Sequence, residues 1–407
     1  MARLGYRDPA MRLHLPKNRD LRTLLLAQLP ADFADWLDFV AIGALLAFTW
    51  EVPTVVFAYL AVAMGLPYLL IGPVAGALVD RVQVRSALIA SNLARGVATA
   101  ALFLAPDWPT LLALVALSSS VDTIFTPAKQ VALQALTAPP ERTAANGLSH
   151  AINQTSKIAA PGLGGALLIW VAPGTVFLLN AGPSLLAALL SARLRPVPRP
   201  PVAPDGAGLL TETREGLSEV RSNRIVRAAL GLMAGGYFAM FLYDTFIAPL
   251  TRDLGFTPTH LGLALAAVGA GGVCGATLLG LAPNVRRPDR WIAMGAVVSG
   301  LSTAFLGWWA WSGAGFGLAA LLTIFAVLGL ASAMAFVPFR TILQDAVPEA
   351  RMGRVTALGE AVNTVALLSA PLVGAYLVSA LSIGAPFVFG GLVMGGIALG
   401  TRVLRSR

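Results

Sequence analysis

Charge is scarce in this sequence. Asp, Glu, Lys and Arg make up 12% of its 407 residues, about half the share of an ordinary soluble domain. With 57% hydrophobic residues and a mean hydropathy of +0.74, that scarcity excludes a string of soluble domains. Cysteine occurs once, as Cys274 inside an apolar run, so no disulfide framework can form within the chain. There is no G-x-x-x-x-G-K-S/T loop to cradle a nucleotide. There is also no H-E-x-x-H and no Cys/His cluster, which excludes a zinc protease embedded in a membrane. No nucleophile motif accompanies His150, so an enzyme is disfavoured and no cofactor or metal is called for. The first long apolar run is acidic, unlike a cleavable signal peptide.

Long apolar runs are abundant. About twelve have the length needed to cross a bilayer: 22–48, 54–79, 86–105, 110–136, 145–170, 175–194, 226–250, 260–282, 291–311, 315–339, 355–379 and 385–401. Backbone groups in lipid must be satisfied within each segment, and these runs are continuous rather than alternating. The fold class is therefore an all-α polytopic membrane protein. Nearly all of the 29 Lys and Arg residues gather in the amino-terminal tail, the even-numbered loops and the carboxy-terminal tail; the odd-numbered loops hold only Arg252, and Arg95, Lys129 and Lys157 lie within spans. The positive-inside rule then predicts a multi-pass protein of a bacterial cytoplasmic membrane with both termini cytoplasmic. The net charge of +9 is a topology signal and calls for no nucleic acid.

The spans divide six and six around 195–225, which is proline-rich at first and then, from Leu209 to Ser222, patterned as a charged amphipathic helix. The expected organisation is a bundle over 1–194, a cytoplasmic linker over 195–225 and a second bundle over 226–407. An internal repeat supports it. Residues 133–165 align without a gap with 343–375, so that Gln134, Asn153, Pro161 and Gly164 match Gln344, Asn363, Pro371 and Gly374. A duplicated six-helix unit predicts such a match between the fifth and eleventh spans.

The polar residues inside the spans are the candidate substrate and proton sites. Asp32, Asp35 and Asp38 step by three along the first span and share one side of a helix. Each carboxylate at membrane depth costs about 2.5–3.5 kcal/mol on the lenient insertion scale. They are therefore expected to line a central aqueous pathway, with Asp35 taking the coupling proton or binding a cationic substrate group, Asp38 and Asp32 as supports, and Lys129 and Lys157 as the natural counter-ions. Asp122 and Lys129 lie seven apart in span four. Span five carries His150, Asn153, Gln154 and Lys157 in one stripe. Tyr243 and Asp244 end span seven, and Glu360 and Asn363 are the repeat-mates of His150 and Asn153.

Several motifs carry a resemblance. The loop GALVDRVQVRS places Gly76, Asp80, Arg81 and Arg85 as in motif A of the major facilitator superfamily, with Gln83 and Val84 departing from it. The end of span five, AAPGLGGAL, resembles the G-P-x-x-G-G antiporter motif through Pro161, Gly162, Gly164 and Gly165, with Ala160 in place of the first glycine. AQLPADFADWLDFVA, DTIFTPAKQVALQALT and PEARMGRVTAL resemble the branch that contains enterobactin-type siderophore exporters and macrolide efflux proteins. The resemblance implies two pseudo-symmetric six-helix bundles and a monomer surrounded by lipid. It also implies proton-coupled efflux of a small amphipathic compound, siderophore or drug-like, by alternating access. Asp80, Arg81, Arg85 and Gly76 would serve gating. Lysophospholipid transporters share the acidic first helix, and a flippase-like lipid mover is the alternative.

Overall fold

Residues 18–79, 81–138, 141–197, 218, 220, 221, 223–281, 287–346 and 349–404 are described by a computed structural model. Among them no strand occurs. The helices are α1 (Arg19–Ala44), α2 (Val55–Val79), α3 (Val84–Leu102), α4 (Trp108–Leu136), α5 (Arg142–Leu167), α6 (Pro173–Ala192) and α7 (Arg224–Asp244). They continue as the short α8 (Ile247–Asp253), then α9 (Pro258–Leu281), α10 (Pro288–Ser312), α11 (Leu318–Ala346), α12 (Glu349–Ala380) and α13 (Ala385–Gly400). The apolar runs thus appear as helices, with one division: the seventh run breaks at Thr245 into α7 and α8. The linker helix expected over Leu209 to Ser222, and Asp80 of motif A, lie outside the described residues.

Local chemistry sets the helix ends. Asn18 caps α1 by accepting from Asp20 N at 2.9 Å, and Asn223 caps α7 by accepting from Ile225 N at 3.0 Å. Gln83 caps α3 by accepting from Ser86 N at 3.1 Å, so the residue that departs from motif A does a helix-starting job. Asp107 caps α4 through Thr110, whose hydrogen bonds hold its carboxyl below the usual range. At its other end α1 passes into one π-helical stretch, Leu45–Thr49.

Nine of the long helices are apolar and long enough to cross a membrane by length and composition, among the described residues. The exceptions are α1, α3 and α5, and these are the ones that carry Asp32, Asp35, Asp38, Arg95 and Lys157. Large apolar side chains on the outside fit a lipid environment: Leu104 is 75% exposed, Trp170 83% and Trp311 77%.

Helices α1–α6 pack among themselves, as do α7–α13, and the halves meet through α5 against α9 and α2 against α12. The repeat explains this pairing, since exchanging the halves turns one contact into the other. It also explains a shared detail. A Cβ on Gly164 of α5 would press on Leu37 of α1, and one on Gly374 of α12 would press on Leu242 of α7 and on Phe246 just after it. Repeat-mates thus hold the same helix pair in each half.

The apolar core differs between the two ends of the molecule. At the end away from the termini, one continuous cluster draws Leu46, Phe57 and Phe177 of the first half together with Phe246, Phe325 and Phe387 of the second. At the end carrying the termini there are two clusters. One, around Leu24, Leu88 and Phe125, is confined to the first half; the other, around Val226, Ile292 and Phe339, is confined to the second. Among the described residues, apolar burial therefore joins the bundles at that end alone.

Candidate functional site

The three aspartates of α1 find three separate partners inside their own bundle. Asp32 is nearly inaccessible and faces Lys129 of α4 at 3.5 Å. It also accepts from Gln28 Nε2 at 2.7 Å. Gln28 is held in turn by Ser149 of α5, donating to its carbonyl oxygen at 2.8 Å and accepting from its hydroxyl at 2.7 Å. Asp38 accepts from Thr99 Oγ1 of α3 at 3.0 Å, while its Oδ1 is buried without a donor.

Asp35 shares a cation. Arg95 Nη1 of α3 lies 2.7 Å from Asp35 Oδ1 and 2.9 Å from Asp122 Oδ1 of α4. Its other terminal nitrogen donates to Asn92 Oδ1 at 2.9 Å, and Asn92 donates to the Leu88 carbonyl at 2.8 Å. The guanidinium lies 4.8 Å from the centroid of Phe125, whose ring also meets Lys129 at 5.3 Å. Arg95 is 3% exposed, Asp122 18% and Asp35 38%. One fixed positive charge thus stands between two carboxylates, and Asp35 is the member most open to solvent. Tyr68 of α2 is near enough to act on this group electrostatically. Asn180 of α6 steadies α1 by donating to the Ala34 carbonyl at 2.7 Å.

The arrangement corrects three expectations. Asp32 faces neighbouring helices and not a water-filled path, because Lys129, Gln28 and Ser149 satisfy it. Lys157 pairs with no carboxylate within 4.0 Å among the described residues. Its ammonium sits 4.7 Å from the centroid of Trp36. Tyr243 is core: it is buried in the cluster that joins the bundles and its ring meets Phe387 at 5.3 Å. Asp244, next to it, borders a small cavity with Phe39, Gly43 and Leu261 at the junction of the halves. Asn153 and Asn363 are half-buried. The side chains of His150, Gln154 and Glu360 lie outside the described residues.

Motif residues take structural places. Arg85 donates to the Ala192 carbonyl at 2.6 Å, capping the end of α6 with a positive charge. Arg81 is exposed in the turn between α2 and α3, and Gly76 lies in the last turns of α2. Helix α5 runs unbroken through Pro161. A Cβ on Gly165 would enter the backbone of Gly262 in α9, and one on Gly162 would come within 3.0 Å of Ala266. Those glycines therefore let α5 and α9 touch at the joined end. Arg252 of α8 also crosses there and donates to the Ala47 carbonyl, in the π-helical end of α1, at 2.7 Å.

Sequence reasoning counted Arg95 only as an arginine inside a span and missed its role. Two carboxylates on facing helices and an arginine in the middle of a span were the available signal. Thr99, Asn92, Gln28, Ser149 and Asn180 gave none, because such residues are common in membrane helices.

The sequence model of the Major Facilitator Superfamily matches residues 24–280 and 229–406. The chain is 27% identical over 359 residues to the MFS-type transporter YfiS of Bacillus subtilis (strain 168), covering 86% of this chain and 84% of that protein. It is 26% identical over 325 residues to macrolide efflux protein A of Streptococcus pyogenes, covering 74% and 75%. Its fold matches, with a TM-score of 0.72 at 15% identity, a bacterial homologue of the human lysosomal transporter Spinster in an inward-facing, unoccupied conformation, over 96% of each chain.

Proposed function

We propose that this chain, which belongs to the Major Facilitator Superfamily, is a proton-coupled exporter of a small amphipathic compound that works by alternating access. The observation that carries the reading is Arg95 held between Asp35 and Asp122. Two carboxylates and one guanidinium leave one negative charge at membrane depth, where charge is costly. A proton on Asp35, the accessible member, neutralises the group and frees α1 from part of its hold on α3. Substrate binding and proton binding then compete for the same helix.

The single-ended apolar junction supports the conformational half of the reading. With the termini on the cytoplasmic side, as the arginine distribution indicates, the joined end is the outer gate and the passage opens inward. The small-residue contact of α5 with α9 and the Arg252 bond to Ala47 are the contacts to be broken when the outer side opens. One proton moving through about 100 mV supplies roughly 2.3 kcal/mol, and each pH unit adds about 1.4 kcal/mol. Together they sustain a concentration ratio of several hundredfold.

Proteoliposomes with an imposed pH gradient test this, with a catecholate siderophore, a macrolide and a lysophospholipid as the panel. Wild-type chain should concentrate one of them only while the gradient lasts. Asp35→Asn should lose uphill transport and keep downhill exchange. Full uphill transport by that variant would remove the coupling role from Asp35.

A further inference from the structure

Lys157 is placed unlike the other embedded cations. Arg95 and Lys129 are each neutralised by aspartates of α1. Lys157 has no carboxylate within 4.0 Å among the described residues, and only the face of Trp36 accompanies it. It stands sixteenth of the 26 residues of α5, about 23 Å along the helix at 1.5 Å per residue. By the same measure Asp35 is about 24 Å along α1, which starts at the same end. Lys157 is nevertheless exposed.

A lysine exposed at that depth faces either lipid or the passage between the bundles. Two neighbours decide for the passage. Trp36 belongs to α1, next to Asp35. Asp244, across the junction at the end of α7, acts electrostatically on Lys157 from beyond ion-pair distance. A lipid-facing lysine on α5 would meet neither.

We propose that Lys157 and Trp36 form the recognition site for an oxyanion, carboxylate or phosphate, carried by an amphipathic organic substrate. The inference rests on the reading of the passage as the substrate's route. An ammonium has three donors and no acceptor, and the indole face satisfies none of them as a hydrogen bond. A substrate oxyanion provides the missing acceptors, and charge-assisted bonds of that kind are the strong ones. The indole beside it offers a flat apolar surface to the rest of the molecule. The two cargoes are then sorted by charge: the proton goes to the carboxylates around Arg95, the anion to Lys157. Asp32 and Asp35 already engage Lys129 and Arg95, which leaves Lys157 as the embedded cation without a carboxylate partner among the described residues.

Equilibrium binding to the purified full-length chain in detergent, without any gradient, tests the site. The probes are carboxyfluorescein, a fluorescent lysophosphatidic acid and a cationic rhodamine ester, whose ring system matches the first. Wild-type chain should bind at least one anion more tightly than the rhodamine. Lys157→Gln should weaken that anion about tenfold or more, the range expected for a hydrogen bond to a charged group. It should leave the rhodamine unchanged, which also reports that the variant is folded. Lys157→Arg should restore the anion. The anion that responds separates the two sources, carboxylate or phosphate. Unchanged anion affinity in Lys157→Gln, or a wild-type chain that prefers the cation, overturns the proposal. Should Lys157→Gln fail to fold, the wild-type order of affinities decides alone. Anion binding that needs Lys157 in a chain without proton-driven transport would sink the coupling and leave this site standing. Proton-driven transport with no role for Lys157 in binding would do the reverse.

Discussion

The two bundles share a repeated sequence and differ in the contacts that stand out among their described residues. In the first, α1, α3, α4 and α5 are tied by Asp32 with Lys129, by Arg95 between Asp35 and Asp122, and by Thr99 with Asp38. In the second, backbones approach until glycine alone fits. Gly329 of α11 lies against the Val268 carbonyl, Gly271 against Ala326, and Gly307 and Gly384 against each other. Lipid gives helices no hydrophobic reason to associate, so close packing of small residues and polar bonds are the two available means. Among the described contacts, polar bonds stand out in the first half and close backbone approaches in the second. Charged contacts can be made and broken by protons, whereas backbone contacts cannot. On the proposed reading, the first half would carry the chemistry and the second would give it a stiff body to move against.

The sharpest break falls on the glycine side. Gly329→Ala would place a Cβ against the Val268 carbonyl, where nothing can yield. The expected outcome is loss of monodisperse protein in size-exclusion chromatography, a destabilisation above about 4 kcal/mol. Gly182→Ala, at a site with open space, should elute like the wild type. Next comes Arg95→Met, which strands two carboxylates. It should abolish uphill transport and cost about 3–5 kcal/mol in a denaturation series. Adding Asp122→Asn should recover stability but not transport. A purely steric role for Arg95 predicts no such recovery.

Smaller effects sharpen the contrast at the junction. Arg252→Ala removes a hydrogen bond from a charged donor to the Ala47 carbonyl, worth about 1.5–3 kcal/mol. Spin-label distances across the joined end should show a roughly tenfold rise in separated conformers, with folding intact. Asp38→Asn should matter least. One of its oxygens is buried without a donor, so a neutral amide of the same shape removes a charge with few partners to lose. A melting temperature within a few degrees of wild type is expected, and a large drop would show a partner not yet recognised.

Much of the site was legible in part. The aspartates of the first span announced themselves because a charge at membrane depth needs a reason. Lys129 of α4 does meet Asp32 of that helix, and Asp122 reaches it through Arg95 of α3. Which cation serves which acid was not legible, because it depends on how α3 rotates against α1 and α4. Lys157 illustrates the point: proximity in type suggested a counter-ion, and the packing set it on Trp36 instead. Tyr243 and Asp244 are adjacent in sequence yet part ways, one ring entering the core and the other side chain bordering a cavity. The antiporter-like glycines were recognisable as a motif, but not that they face Gly262 and Ala266 of the other half.

The sequence by itself determined that this is a helical membrane protein of two repeated halves, because apolar length, basic loops and a gapless repeat are one-dimensional quantities. It also determined which residues are too polar to face lipid. The tertiary structure alone decided that Arg95 is shared by two carboxylates and, among the described residues, that Lys157 has none within 4.0 Å and that the halves are joined at one end. Those facts turn on distances of a few ångströms between segments far apart in the chain, and no period or spacing along a single strand of sequence encodes them.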